Sequence, residues 1–280
     1  MIRLGGQAVP CGSDDPAAFA RAHREFGYSA AYCPPCQLRD KDRIRAIRSA
    51  FAAEDVTIAE VGAWGNMIPT DEDARARKLE NVCERLTLAD EVGALCCVNY
   101  LGTPVPDGKI DPHPSLLTRE GFDWAVDVVR QILDAVQPTR AKFALEMMQW
   151  MPPDSPECYA ELIKAVDRPG FAVHLDPVNI IITPRMYFNT GDVIRRCFDL
   201  LGEYVVSCHA KDIALDSSLA LHLNEVPMGT GNMDYHTYLT ELDKLPQTPP
   251  LMLEHLKPEQ YPAARDHLLK VGRELGLTFA

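Results

Sequence analysis

Eight times along this chain a short apolar run gives way to a loop and then to a stretch with helical periodicity. The runs are Ile2 to Val9, Ala30 to Cys33, Thr57 to Val61, Leu95 to Asn99, Lys142 to Glu146, Phe171 to Asp176, Val205 to His209 and Leu251 to Glu254. Helical patterns follow at residues 14–26, 40–53, 70–91, 118–136, 155–166, 192–201, 235–245 and 259–275. Asp14-Asp15-Pro16 has the cap-then-proline form of a helix start, and Gly27 and Gly93 stop their helices. Strands separated by helices must run parallel, and right-handed crossovers close about eight such units into a barrel. The pattern therefore predicts a single (β/α)₈ TIM barrel domain over residues 1–280, close to the roughly 250 residues such a barrel needs. An open doubly wound sheet is the alternative. It would carry a glycine-rich phosphate loop after the first strand, whereas Gly5-Gly6 lies inside that strand and no GxGxxG follows. Residues 100–117 read as a long Pro-rich loop, and residues 210–234 as a second long loop.

Composition narrows the partners. A net charge of −12 argues against a nucleic-acid binder, which usually shows a basic footprint. No apolar run approaches the ~20 residues that span a bilayer, and the N-terminal segment runs straight into a strand without a signal-peptide pattern. The expectation is a cytoplasmic protein acting on a small molecule, with a homo-oligomer left open. The nine cysteines are odd in number and scattered, which predicts reduced thiols. Cys33-Pro34-Pro35-Cys36 has CxxC spacing, but a redox reading expects a thioredoxin-like setting and a zinc reading needs further ligands.

The second half of the chain carries the chemistry. Four strands end in a metal-type ligand: Glu146, Asp176, His209 and Glu254. Parallel strands place their C-terminal ends on one face of a barrel, so ligands distant in sequence can meet. Side chains alternate across a strand. Each ligand then shares its face with small or polar residues (Ala144, Ala172 and His174, Ser207, Met252). The opposite face is apolar: Phe143, Leu145, Val173, Leu175, Val206, Cys208, Leu251 and Leu253. Three carboxylates and one imidazole suit Mn²⁺, Mg²⁺ or Co²⁺, with Zn²⁺ as a further alternative. Four protein ligands leave room on such an ion for the two oxygens of a hydroxy-ketone.

At these residues the chain resembles the sugar phosphate isomerase/epimerase family with the xylose isomerase-like barrel, which includes ketose 3-epimerases, inosose dehydratases and hydroxypyruvate isomerases. The resemblance rests on Phe143-Ala144-Leu145-Glu146, His174-Leu175-Asp176, Cys208-His209-Ala210-Lys211-Asp212, the segment from Val226 to Tyr235, and Leu253-Glu254. It implies that Glu146 and Glu254 bind metal, Mn²⁺ first among the candidates, and exchange protons with substrate carbon. Asp176 and His209 would complete the metal shell. Many members place a His three residues after the aspartate. Here that position is Asn179, which can hydrogen-bond a sugar hydroxyl but cannot titrate near neutrality.

Further substrate-contacting candidates are Lys211, Trp64, Glu60 and Asn99. Lys211 either holds a substrate oxygen or pairs with Asp212 or a ligand carboxylate. Glu60 and Asn99 end the third and fourth strands, where they could touch substrate or simply be solvated at the surface. Trp64, with Tyr100, Trp150 and Phe188, sits in a loop after a strand, where it could wall a sugar pocket or pack within the loops. His174 reads as a core histidine, with support of the metal ligands from one layer below as the alternative. The expected activity is metal-dependent isomerisation or epimerisation of a ketose or keto-sugar derivative through an enediolate. A lyase acting on a keto-sugar, keto-inositol or 3-keto-glycoside would use the same parts. The other readings are an abasic-site endonuclease of related fold, which needs more histidine and acidic ligands, and a non-catalytic barrel.

Overall fold

The computed structural model describes residues 1–106 and 110–280; residues 107–109, within the expected Pro-rich loop, lie outside the described residues. In chain order the elements are β1 (Leu4–Gly6), α1 (Pro16–Glu25), β2 (Ala30–Tyr32), α2 (Lys41–Ala53), β3 (Thr57–Gly62), α3 (Glu72–Val92), β4 (Cys96–Asn99) and α4 (Arg119–Val136). They continue with β5 (Lys142–Glu146), α5 (Pro156–Val166), β6 (Phe171–Leu175), α6 (Pro184–Tyr187), α7 (Thr190–Leu201), β7 (Val205–Ala210), β8 (Asp212–Leu215), β9 (Leu223–Val226), α8 (Tyr235–Asp243), β10 (Leu251–Leu253) and α9 (Tyr261–Glu274). Eight parallel strands form one sheet in the order β1-β10-β7-β6-β5-β4-β3-β2. Its two ends approach each other, where the Ser29 N–H donates to the Leu4 carbonyl at 2.9 Å, so the sheet is a nearly closed barrel.

The helix starts follow from local chemistry. Asp15, Asp40, Asp71, Thr118, Ser155 and Asp234 each accept a hydrogen bond from a first-turn N–H of α1, α2, α3, α4, α5 and α8. The cap of α3 is Asp71 rather than Thr70, where the sequence pattern opens the helix. Gly93 ends α3 at φ 81°, a conformation that glycine adopts without steric penalty.

The main core lies between strands and helices, with Phe143, Leu145, Val173, Leu175, Cys208, Leu251 and Leu253 all in it. That is the expected outer face of the strands, with one exception. Val206 is only half-buried, because the β6–β7 register shifts there: Val173 faces Val205 and His174 faces Ser207. Inside the barrel the apolar filling is small, with Ala30, Ala59 and Met252 packed together. Gly5 makes this possible, since a Cβ there would meet the Ala30 carbonyl oxygen and the Met252 sulfur at 2.6 Å each.

Two expectations need correction. The first strand is limited to Leu4–Gly6, because Ala8 turns to φ 56° and ends the pairing. The segment after β7 is not simply a loop: β8 and β9 pair as an antiparallel hairpin, Asp212 opposite Val226 and Leu215 opposite Leu223. The turn after it is fixed by Asp212, whose carboxylate accepts from the N–H groups of Gly229, Gly231, Met233 and Ile213. The short Gly-Thr-Gly segment thus wraps a carboxylate of its own chain.

Candidate metal centre

Glu146 is the last residue of β5, Asp176 directly follows β6, His209 is the fifth residue of β7 and Glu254 directly follows β10. The strand ends are held by tyrosines, three of them buried and Tyr32 half-buried. Tyr159 of α5 bonds both the N–H and the carbonyl of Leu145 and reaches the Ala172 carbonyl. Tyr238 of α8 donates between the carbonyls of His209 (3.0 Å) and Leu175 (3.4 Å). Tyr235 donates to the Lys211 carbonyl, and Tyr32 of β2 donates to Leu253 at 3.3 Å. These phenols tie main-chain carbonyls near the barrel mouth to α5, α8 and β2.

The four side chains converge. One ligand atom from each of Glu146, Asp176, His209 and Glu254 lies within 4.8 Å of the others, and all four residues are buried. His209 Nδ1 is 3.1 Å from Glu146 Oε1, 3.0 Å from Glu254 Oε1 and 3.7 Å from Asp176 Oδ2. Lys211 lies against the same group, its Nζ 2.8 Å from Glu254 Oε1 and 2.9 Å from Asp176 Oδ2. Of the sequence alternatives for Lys211, pairing with ligand carboxylates is the observed one, since Asp212 is engaged by main-chain N–H groups. Asp176 Oδ2 is fully buried and has no well-directed hydrogen bond, so the ammonium is its main compensation.

Below this group lies a second one. Glu60 of β3 is buried inside the barrel, with Oε1 3.1 Å from His209 Nε2 and Oε2 3.0 Å from His174 Nε2. The Ser207 hydroxyl also donates to Oε2 at 3.1 Å. Both oxygens of Glu60 are thus hydrogen-bonded to side chains under the mouth. His174 takes the supporting position, its ring packed edge-on against His209 at 4.0 Å between centroids. Asn99 is also fully buried, its amide oxygen accepting from the Gly65 N–H at 3.0 Å.

The charges reinforce one another. Burial works to raise the Glu60 carboxyl, but the His209 and His174 imidazoles outweigh it and hold it well below the usual carboxylate range. Burial likewise opposes ionisation of Asp176, and Lys211 with His209 overrides it. Glu254 is lowered in the same way, by His209 and then Lys211 against burial. For His209 burial disfavours the cation, yet the carboxylates of Glu60, Glu254 and Asp176 drive its proton affinity well above the ordinary imidazole value. An ionised Glu60 can only accept, so His209 Nε2 carries a hydrogen, and the raised proton affinity favours a second hydrogen on Nδ1, where it faces the three carboxylates and where a metal ion would take its place.

Other expected residues border the site. Asn179 joins it through Lys211, whose Nζ is 3.3 Å from its amide oxygen, while its amide nitrogen donates to the Met147 carbonyl at 3.1 Å. Trp64 is 43% exposed and stacks on Tyr100, whose hydroxyl is shifted upward by burial and by the charge of Glu146. Phe188 instead packs on Tyr187, in a cleft with Asn189 and Asp192. Two residues at the site escaped sequence reasoning: Glu225 on β9, 3.4 Å from Lys211 Nζ, and His255, 2.8 Å from Glu225. Clefts of about 170 and 260 Å³ share Glu225 as a wall.

A parallel barrel with buried carboxylates and an imidazole gathered at its C-terminal mouth defines a (β/α)₈ protein with a candidate metal centre where such barrels carry their active sites. The chain belongs to the xylose isomerase-like TIM barrel family, which matches residues 20–271. No curated protein matches the chain in sequence. Among solved structures it is similar to the probable 3-DHS dehydratase involved in petrobactin synthesis from Bacillus anthracis, with TM-score 0.70, 15% identity and coverage of 96% of this chain and 99% of that one. It is similar to 3-keto-D-glucoside 4-epimerase from E. coli, with TM-score 0.66, 14% identity and coverage of 98% and 100%. It is also similar to a xylose isomerase-like TIM barrel protein from Mycobacterium smegmatis in complex with magnesium, with TM-score 0.65, 17% identity and coverage of 97% and 96%. Among the described residues, no helix is long and apolar enough to cross a membrane.

Proposed function

We propose that this chain is a cytoplasmic, divalent-metal-dependent isomerase or epimerase of a ketose or keto-sugar derivative, with all 280 residues serving one barrel domain. The observation that carries the reading is the convergence of Glu146, Asp176, His209 and Glu254, all buried, from four strand ends to within 4.8 Å. Three carboxylates and one imidazole fit a divalent cation of intermediate hardness, Mn²⁺ first and Mg²⁺, Co²⁺ or Zn²⁺ after it. The buried Asp176 Oδ2, compensated mainly by an ammonium, is a carboxylate oxygen suited to such an ion. When bound, the cation would supply Lewis-acid polarisation of the substrate carbonyl.

The chain's own residues supply the proton chemistry. Glu146 and Glu254 come from β5 and β10, which have β6 and β7 between them, and so can address opposite faces of one sugar carbon. One takes the proton alpha to the carbonyl and the other returns a proton to the opposite face. Glu254 is held ionised by His209 and Lys211, as a base must be. The Lys211 ammonium can donate to the substrate oxygen that gains charge in the enediolate, and Asn179 fixes its direction. The stacked Trp64 and Tyr100 offer an apolar wall for sugar C–H groups.

A second reading, a lyase, is favoured by the likeness to a dehydratase, because expulsion of a beta substituent begins with the same proton removal. One experiment addresses both. The Mn²⁺-loaded protein is incubated in D₂O with ketohexoses and 3-keto-glucosides, and products are read by NMR and mass spectrometry. Deuterium at the alpha carbon with inversion supports the epimerase. Deuterium with loss of a beta substituent moves the enzyme to the lyase class. Inversion with no deuterium would rule out the two-glutamate mechanism.

A further inference from the structure

The sequence gives no thioredoxin-like setting for its CxxC segment, yet the fold brings the two sulfurs together. Cys33 directly follows β2 and its N–H donates to the Glu60 carbonyl at 3.0 Å; Cys36 lies in the loop before α2. Their Sγ atoms are 3.9 Å apart, both residues are half-buried, and neither is in a disulfide. A disulfide needs about 2.05 Å, so the sulfurs must close by roughly 1.9 Å. The pair lines an open cleft of about 960 Å³ with Arg39, Arg43, Arg85 and the single carboxylate Asp40. Arg43 and Arg85 are anchored through Nε on the carbonyls of Pro35 (2.9 Å) and Gly62 (3.0 Å).

These surroundings discriminate between ligands. A thiophilic cation would meet three guanidiniums against one carboxylate, and among the described residues no further metal-type ligand completes a group with the two thiols. An anion suits the cleft, and a thiolate inside it is stabilised. We propose that Cys33 and Cys36 form a dithiol redox site that reduces an anionic low-molecular-weight disulfide and closes to an intramolecular disulfide.

The steps balance. The Cys36 thiolate attacks one sulfur of RSSR; that S–S bond breaks, and RS⁻ leaves and takes a proton. Cys33 then gives up its proton and attacks Cys36 Sγ of the mixed disulfide, expelling the second RS⁻, which is also protonated. Two protein thiols are oxidised and one disulfide is reduced to two thiols. The hydrogen bond from Cys33, with Arg85 and Arg43 acting against burial, brings the Cys36 thiol to about 7, so Cys36 is the attacking sulfur. Cys33 is pushed up, first by that same hydrogen bond and then by burial; attack by Cys36 removes the first of these causes.

The test uses the reduced full chain with oxidised glutathione, which is anionic, and bis(2-hydroxyethyl) disulfide, which is neutral. Rates are normalised to a free model thiol. The expected result is a thiol count that falls by two from nine, with a Cys33–Cys36 crosslink by peptide mapping and recovery on reduction. The anionic reagent should react about tenfold or more faster at low salt, with the advantage shrinking as salt rises. Cys33→Ser should accumulate a stable mixed disulfide at Cys36. Retention of all nine thiols, loss at other cysteines, a mixed disulfide that persists in the unmutated chain, or equal normalised rates for the two reagents would each overturn the proposal. These arms need no variant, so a Cys33→Ser protein that fails to fold leaves the test intact.

Discussion

Glu60→Gln tests whether the lower layer of the site governs the upper one. The carboxylate makes three buried contacts, at 3.1 Å to His209, 3.0 Å to His174 and 3.1 Å to Ser207. Gln keeps one acceptor oxygen and turns its NH₂ toward the other partner. One charge-assisted hydrogen bond, worth roughly 1.5–3 kcal/mol, is lost, and His209 is no longer held with its hydrogen on Nε2. At about 1.4 kcal/mol per tenfold, Mn²⁺ affinity should fall by roughly 10–100-fold, the range typical for groups that orient a metal-binding histidine. The assay is calorimetric titration of EDTA-treated, dialysed protein with Mn²⁺, with circular dichroism to confirm the fold. Thermal stability should fall as well, because a buried network is broken. A folded variant with lowered thermal midpoint but Mn²⁺ affinity within threefold of the unmutated protein would refute the reasoning and leave Glu60 as core packing alone.

Tyr238→Phe removes the hydroxyl bonded to the His209 carbonyl. Leaving that buried group unpaired should cost about 1–3 kcal/mol, read as a fall in thermal midpoint of at least about 2 °C. Asp90→Ala should lower stability by about 1 kcal/mol in denaturant titration, because this carboxylate accepts from the N–H groups of Thr139, Arg140 and Ala141 ahead of β5. Burial tends to raise the Asp90 carboxyl, but those donors win and lower it. Its contribution is therefore fully present above the unfolded-state value near 3.9 and is lost as pH falls through the lower folded value, so the difference between variant and parent should vanish in strong acid. Asn179→Ala should reduce kcat/KM about tenfold or more while metal content by elemental analysis stays intact; loss of metal would show the role to be misassigned. Mn²⁺ at about 100 times its Kd should stabilise the protein by about 2.7 kcal/mol, and Asp176→Ala should abolish that gain in a thermal scan.

The barrel was legible because period and punctuation agree along the chain. Apolar runs such as Phe143-Ala144-Leu145 are bounded by cap residues and by Gly27 and Gly93, and alternation assigns faces without knowledge of partners. The convergence of Glu146, Asp176, His209 and Glu254 was legible for the same reason, since the strand end is a position that sequence can locate. Val206 shows the limit: a register shift depends on two strands at once, and neither sequence alone encodes it. Glu225 was missed because β8 and β9 are four residues each and half-exposed, so their pairing leaves little hydrophobic alternation to read. The bonds from Glu60 to His209 and His174 were not legible, because they depend on where β6 and β7 set those rings.

The buried charges argue that this site is organised for chemistry rather than for stability. Glu60, Glu146, Asp176 and Glu254 are all buried, balanced by His209 and Lys211, in a barrel whose remaining filling is as small as Ala30 and Ala59. Each buried ion costs several kcal/mol to desolvate, and well-packed apolar side chains would commonly stabilise a core as well or better. The cost is divided between two layers. Below, Glu60, His174 and Ser207 satisfy one another and fix the His209 ring, so substitutions there should act on affinity and folding. Above, Glu146, Asp176 and Glu254 aim three carboxylates at one His209 nitrogen, with the Lys211 ammonium and, 3.6 Å from Glu254, the His255 ring in addition to offset them. With Glu225 counted, four carboxylates face His209, Lys211 and His255, an excess of negative charge that a divalent cation would neutralise, so substitutions there should act on metal occupancy and turnover together. Reading metal affinity, stability and rate on the same variants therefore separates the layers, because the lower one should change affinity at near-normal turnover per bound metal and the upper one should not.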